Sequence, residues 1–598
     1  MESKVLKKRG EIREKDKWAV NEIYSCDEEW EREYKELQEE APKLKDFEGK
    51  LGDAKVLEEY FEVNEKTSRK AEKIYVYAHL RSDEDTSNTT YQAMMNKIDA
   101  YMAEYATYTA YVVPEILALP DGTIEKLMNE NKGLEPYKFL IENILKEKPH
   151  VLDKKEEELL AAASDCLDAP SSIHNIMTNA DMKFGNIKDE DGEEVELTEG
   201  NYSSFIKSKD RNVRKAAFER LFGEYKSFEN TLATTLSSSI KVFNFGAKIR
   251  NYNSALEASL KPNDIPTEVY TNAVKTINDN LSSLHRYVKL KKKLLGLEEM
   301  HMYDLYVPVI EVPKERVEFD KAVEMAVEGL NPLGKEYLDI FQGGINGGWI
   351  DKYINKGKRG GAYSWGGYDT KPYVLLNYNY ELNDVSTLVH EMGHSIHSYY
   401  SRKEQSYYYA GYTLFCAEVA STTNEALLIH HLINKETDKK KKLYLINQEL
   451  EQIRTTVFRQ LMFAEFELYT HESFEKGLPL TAQDYNAKWH ELNVKYFGPD
   501  MVVDSDIDVE WSRIPHFYSD FYVYQYATGY AAASAFANSI LNGEKDAVEK
   551  YVGFLKSGGS DYPIEILKKA GVDMTTSKPL EATINRFNEL LDMLEKEI

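Results

Sequence analysis

The chain is 598 residues long, 42% hydrophobic and 29% charged, long enough for two or more packed lobes and too apolar for a disordered polymer. Its formal net charge of -26 speaks against a nucleic-acid partner, which needs clustered Lys and Arg, and fits an acidic surface that keeps the protein soluble. Three scattered cysteines, Cys26, Cys166 and Cys416, without CxxC spacing, exclude a disulfide framework.

In chain order, Met1 to Lys17 is charged throughout and lacks an apolar segment of signal-peptide type, and no stretch of about 18 uninterrupted apolar residues follows. The expectation is a reducing, cytoplasmic setting without a membrane. From about Trp18 to Ala180 apolar residues recur at three- and four-residue intervals, through Tyr75, Tyr77 and Leu80 and again through Leu159, Leu160 and Ala163. This predicts a helical N-terminal lobe, with helix boundaries at Lys148-Pro149 and Ala169-Pro170. Lys188-Asp189-Glu190-Asp191-Gly192, between the runs Met182 to Gly185 and Val195 to Leu197, predicts a hairpin at the lobe boundary. The resulting division is a helical lobe over 1–185 and a mostly helical catalytic domain over 186–598.

Helical periodicity resumes from Tyr202 to about Leu295. The β-rich runs Gly360 to Trp365 and Tyr373 to Tyr378, joined by Gly366-Gly367-Tyr368-Asp369, then predict a small sheet. Beyond Tyr380 the chain reads as helical, with loops near Gly477 to Leu480, Gly498 to Ile514 and Ser557 to Pro563. The predicted class is mainly α with a small β-sheet.

The helix after that sheet carries the chemistry. Asn383 or Asp384 is its predicted cap, and Val385, Leu388, Val389, Met392 and Ile396 its buried stripe. His390 and His394 stand at i and i+4, one turn apart on one side, so both imidazoles reach a single Zn2+ ion. Glu391 lies about 100° around from His390, beside the metal without competing as a ligand, where it can take a proton from water. Catalytic zinc needs a third protein ligand. The extended HExxHxxGxxH pattern fails, because His397 stands in place of its Gly and Tyr400 in place of its last His. Glu418, amid the small and apolar residues of Phe415 to Ser421 on the next predicted helix, is the candidate third ligand. Glu425 lies seven residues on and shares its face, placing it to hydrogen-bond the far nitrogen of a ligand histidine. His397 reads as a residue beside the metal shell or lining the cleft rather than as a fourth ligand.

Together with Gly361-Ala362-Tyr363-Ser364-Trp365, Tyr368 to Tyr373, Glu418 to Ser421, Arg513-Ile514-Pro515-His516-Phe517-Tyr518 and Tyr522 to Gly529, the HExxH motif makes the sequence resemble the oligoendopeptidase F branch of the thimet oligopeptidase family of zinc metallopeptidases. The resemblance implies a mostly helical, two-lobed body around a deep channel that admits short unstructured oligopeptides. It implies the same ligands, His390, His394 and Glu418, and the same base, Glu391. It further implies oxyanion-stabilising roles for His516 and for Tyr522 and Tyr526, which with Tyr530 stand at i, i+4 and i+8. A strand at Gly361, Ala362 and Tyr363 would pair with the substrate main chain, with Tyr530 a further substrate contact. The function so predicted is zinc metalloendopeptidase. The alternatives are an exopeptidase (carboxypeptidase or dipeptidase) on the same metal core, or a non-catalytic peptide-binding protein carrying structural zinc.

Overall fold

The structure is a computed structural model that describes residues 6–310 and 315–597. It is mostly helical with three small sheets, as the periodicity predicts. No described helix is long and apolar enough to cross a membrane. Two compact units emerge, each assembled from three separate stretches: Met1–Lys148, Lys314–His431 and Phe536–Gly571 form the first, and Pro149–Pro313, Leu432–Ala535 and Val572–Ile598 the second.

In the first unit the longest helix, α1 (Ala54–Glu84), starts at Asp53, whose side chain accepts from the Lys55 and Val56 N–H groups at 2.9 and 3.2 Å. Its buried face, including Leu57, Phe61, Ile74 and Leu80, belongs to a core that also takes in Trp30, Ile98 and Leu134. The second unit packs helices Glu229–Ile249, Arg459–Glu475 and Ala482–Phe497 around an aromatic cluster. In it Phe466 meets Trp489 edge-on at 5.0 Å between ring centroids, and Phe517 at 5.2 Å.

The predicted hairpin forms on shifted strands: β1 (Asn186–Lys188), which follows the run Met182 to Gly185, pairs antiparallel with β2 (Glu194–Glu196), which starts one residue before Val195. Met182 to Gly185 stays outside the ladder apart from the Leu197 N–H bond to the Gly185 carbonyl. In the same unit β3 (Met300–His301) lies parallel to β7 (Met501–Val502), inside a stretch that reads as loop. The rest of that stretch is largely the 3-10 helix Ser505–Arg513.

The sheet beside the metal motif has three strands, not two. β4 (Ile350–Asp351) runs parallel to β6 (Tyr373–Leu375), which pairs antiparallel with β5 (Tyr363–Trp365), in the order β4-β6-β5. β5 is therefore an edge strand, and the Ser364 hydroxyl lies 2.8 Å from that of Ser395 on the metal-motif helix.

Candidate metal centre and active site

The motif helix, α2, spans Leu382–Glu404. Neither Asn383 nor Asp384 caps it. Glu381 holds the cap position, and the Asp384 carboxylate, inside the first turn, accepts from the N–H groups of Asn379 and Glu381 at 2.8 and 2.9 Å. A carboxylate three residues into a helix reaches back to donors that the helix itself leaves unpaired, so the capping box starts the helix earlier. The stripe Val385, Leu388, Val389, Met392 and Ile396 is fully buried.

Against α2 lies α3 (Leu414–Lys435). Their approach is close because of Gly393: a Cβ there would stand 2.6 Å from Ser421 Cα and 2.9 Å from its N. Asn424, fully buried, locks the pair by donating to the Val389 carbonyl at 3.0 Å while accepting from the Tyr337 hydroxyl at 2.8 Å.

This contact brings together His390, His394 and Glu418. His390 Nε2 and His394 Nε2 are 3.2 Å apart, and each faces Glu418 Oε2, at 3.4 and 3.5 Å. Tetrahedral ligands at 2.0–2.1 Å from one zinc are separated by about 3.3–3.4 Å. Two imidazole nitrogens and one carboxylate oxygen at these spacings therefore fit zinc, and the set leaves one position open. The Glu418 side chain keeps 45% of its exposure, so this candidate ligand is not the deeply buried carboxylate that its apolar neighbours suggest; solvent reaches the cluster from its side. The Ser421 hydroxyl donates to Glu418 Oε2 at 3.1 Å and orients it.

Glu425 Oε2 sits 3.3 Å from His390 Nδ1 and its other oxygen accepts from the Ser386 hydroxyl at 3.2 Å. Burial alone lowers the basicity of His390, but Glu418 and Glu425 reverse this and raise its pKa to about 10. Burial raises Glu418 in turn, yet the two histidines hold it well below the usual carboxylate range. Glu391 is buried, and desolvation raises its pKa against the pull of His390 and His394, the direction that suits a proton acceptor near neutral pH. Replacing Glu425 with glutamine is expected to weaken zinc affinity about 10–100-fold, measured by competition with a chelator of known affinity; unchanged affinity would remove Glu425 from the site.

His397 is completely buried, stacked on Tyr412 with ring centroids 3.8 Å apart and packed against Phe554. Among the described residues its Nδ1 meets no hydrogen-bond partner and it offers no atom to the candidate ligand cluster, and burial lowers its pKa to about 3. Cys416 is buried with its thiol pushed up to about 12, so it is no thiolate ligand. On β5, Tyr363 turns its hydroxyl to Asp83 at 2.7 Å, while Gly361 takes a left-handed φ of +82° and its carbonyl accepts from Asn377 at 2.8 Å. Both the Tyr363 hydroxyl and the Gly361 carbonyl are thus engaged within the fold.

His516, Tyr522 and Tyr526 form a cluster in the second unit. The Tyr526 hydroxyl is 3.4 Å from His516 Nε2, and the Tyr522 ring meets Tyr526 edge-on at 5.4 Å. Phe517, embedded in the aromatic cluster described above, fixes the loop that carries His516. Burial lowers the His516 pKa, favouring the neutral imidazole. The predicted shared helical face of Tyr522, Tyr526 and Tyr530 does not form, because the helix, α4, spans Tyr524–Leu541 and Tyr522 precedes it. The break is Phe521, at φ +58° with its N–H bonded to Glu467 at 2.7 Å; a bulky residue held there signals stored strain. Tyr530 is buried.

Peptidase family M3 matches the chain over residues 204–586, and Oligopeptidase F over residues 115–184. The chain belongs to peptidase family M3. Oligopeptidase PepF of Bacillus subtilis is 48% identical over 592 residues, 99% of this chain and 88% of that protein. Group B oligopeptidase PepB of Streptococcus agalactiae is 42% identical over 588 residues, 98% of each chain. The crystal structure of oligoendopeptidase-F from Enterococcus faecium, 41% identical, superposes with a TM-score of 0.74 over 96% of this chain and 99% of its own. As a member of family M3 the chain is a metalloendopeptidase, and its His-His-Glu cluster is compatible with the metal that such an enzyme uses.

Three residues that build the candidate centre are not singled out by the sequence: Gly393, Ser421 and Asn424. A signal for them exists. Glycine in mid-helix costs about 1 kcal/mol relative to alanine, so Gly393 inside the motif points to a close approach, and the polar run Ser421 to Asn424 on an otherwise apolar helix points to buried partners.

Proposed function

We propose that this enzyme is a zinc endopeptidase that hydrolyses internal bonds of short unstructured oligopeptides in the cytoplasm. The observation that carries the reading is the convergence of His390 Nε2, His394 Nε2 and Glu418 Oε2 within 3.2–3.5 Å, with Glu391 on the same helix. When bound, zinc supplies Lewis acidity toward water and the scissile carbonyl. Glu391 accepts the proton of the attacking water on its carboxylate and returns it to the leaving amine nitrogen. His516 and Tyr526 donate hydrogen bonds to the oxyanion; their mutual contact supports a joint role. The backbone from Gly361 to Tyr363 pairs with the substrate main chain; Tyr363 opens β5, an edge strand of its sheet, which supports this role. Such recognition makes little demand on side chains.

A peptide blocked at both ends separates this reading from its rivals. Cleavage at internal bonds, lost on chelation and restored by zinc, is expected; an exopeptidase leaves the blocked peptide intact, and a binding protein leaves it intact with or without zinc. Tyr526→Phe is expected to lower kcat about 10²–10³-fold with little change in KM, read from steady-state kinetics on the same peptide. An effect confined to KM would assign Tyr526 to binding instead.

A further inference from the structure

In the second unit, the turn that joins His516 to Tyr522 has a conformation its residues do not favour. The Tyr522 N–H bonds to the Ser519 carbonyl at 3.0 Å, closing a four-residue turn whose third residue, Phe521, has φ +58°. A turn of this sign, type II, favours glycine in that place, whereas a bulky residue suits the type I turn. The two types differ mainly by rotation of the central peptide, here the one between Asp520 and Phe521. Its orientation is therefore decided by its surroundings.

Both polar ends of that peptide are held by side chains. The Phe521 N–H donates to Glu467 Oε1 at 2.7 Å, and the Ser259 hydroxyl donates to the Asp520 carbonyl at 3.1 Å. Glu467 comes from helix Arg459–Glu475 and Ser259 from helix Ala255–Leu260, so two separate helices pin one peptide group. The Phe521 ring packs against Tyr270 and His471, with ring centroids 5.6 and 4.6 Å apart. Glu467 is only 2% exposed. Burial, reinforced by Asp520 and opposed by the Phe521 N–H, raises its pKa well above the usual carboxylate range. An interior carboxyl is costly, and what this one secures is a single orientation of the peptide.

That orientation decides where the next residue goes. The Tyr522 ring lies nearly parallel to the His516 imidazole, 6.0 Å away between centroids with 13° between planes, and edge-on to Tyr526. The His516 carbonyl accepts from the Ser519 N–H at 2.9 Å, which ties His516 to the same turn.

We propose that Glu467 and Ser259 are positioning residues: by fixing the Asp520–Phe521 peptide against rotation they hold Tyr522 against His516 and so set the geometry of the His516–Tyr526 pair. The inference rests on the oxyanion role proposed above for that pair, and neither residue acts on substrate directly.

Steady-state kinetics on the doubly blocked peptide, at measured full zinc content, test this. Glutamine at 467 keeps the length of the side chain and an oxygen for the Phe521 N–H, so Glu467→Gln should keep kcat within about twofold. Aspartate keeps the acid but is a methylene too short, so Glu467→Asp should lower kcat about tenfold or more with KM nearly unchanged. Because Glu467 is buried, Ser259→Ala is the second variant; it removes one hydroxyl at a half-buried helical position that alanine suits, and should lower kcat about threefold. In a Tyr526→Phe background Glu467→Asp should cost about threefold or less, because a residue that acts through the pair then has little left to position. The inference is overturned if Gln loses as much as Asp at 467, if Ser259→Ala keeps full kcat, if the losses fall on KM alone, or if the Glu467→Asp and Tyr526→Phe losses multiply in full. Tyr526→Phe by itself keeps the two readings apart. Unchanged kcat there removes the oxyanion role and this inference with it, whereas a large loss there combined with full multiplication leaves that role standing and removes the positioning role alone.

Discussion

Glu391→Gln is expected to retain a full complement of zinc and to lose between about 10² and 10⁴ in kcat/KM toward a peptide blocked at both ends. Glutamine has nearly the same volume and shape, so the buried position beside His390 and His394 remains filled and α2 keeps its packing. None of the three ligand atoms changes. Only the ability to take and return a proton is removed. Metal content measured on the same preparation as the kinetics makes the outcome decisive, since a loss of activity accompanied by loss of zinc would point to a structural role. Near-normal turnover at full zinc occupancy would sink the assignment of the base.

Gly393→Ala is expected to damage the centre without touching a ligand. The added Cβ would meet Ser421 Cα at 2.6 Å, Ser421 N at 2.9 Å and the Ala420 carbonyl oxygen at 3.0 Å. All three are backbone atoms, so no side-chain rotation relieves the clash and α3 has to move. Glu418 lies one turn before Ser421 and moves with it, which lengthens its 3.4 and 3.5 Å approaches to the histidines. Overpacking of this kind costs about 1–3 kcal/mol, against about 1 kcal/mol gained from the better helix propensity of alanine. Zinc affinity should therefore fall about tenfold or more, and the unfolding temperature of the metal-free protein should not rise. Gly223→Ala is the control. Gly223 lies in helix Arg211–Ser227 with nothing near its Cβ position, so this change should be neutral or stabilising by about 0.4–1 kcal/mol. Equal zinc affinity in both variants would refute the close-contact account.

The contrast between these variants shows where sequence reasoning stops. Glu391 is found by counting along one helix, because a 3.6-residue period is a property of the local chain. Gly393 matters only through the backbone of another helix, 28 positions further on. The cap at Glu381 was missed for a similar reason: Asp384 is a good cap residue by type, but its carboxylate turns back on donors at Asn379 and Glu381, and the choice between two cap registers depends on that geometry. β4 was missed because two residues, Ile350 and Asp351, are too short to show a period, and Tyr522 fell outside its predicted helix because Phe521 adopts a conformation that its side chain disfavours.

By itself the sequence determined the helical class, the small sheet ahead of the motif, the two histidines and the carboxylate between them, all consequences of periodicity and residue type over one or two turns. Tertiary structure alone decided how Glu418 reaches the histidines and why α2 and α3 can approach so closely. Those depend on distances between chain segments remote in sequence, which packing sets and spacing along the chain does not encode.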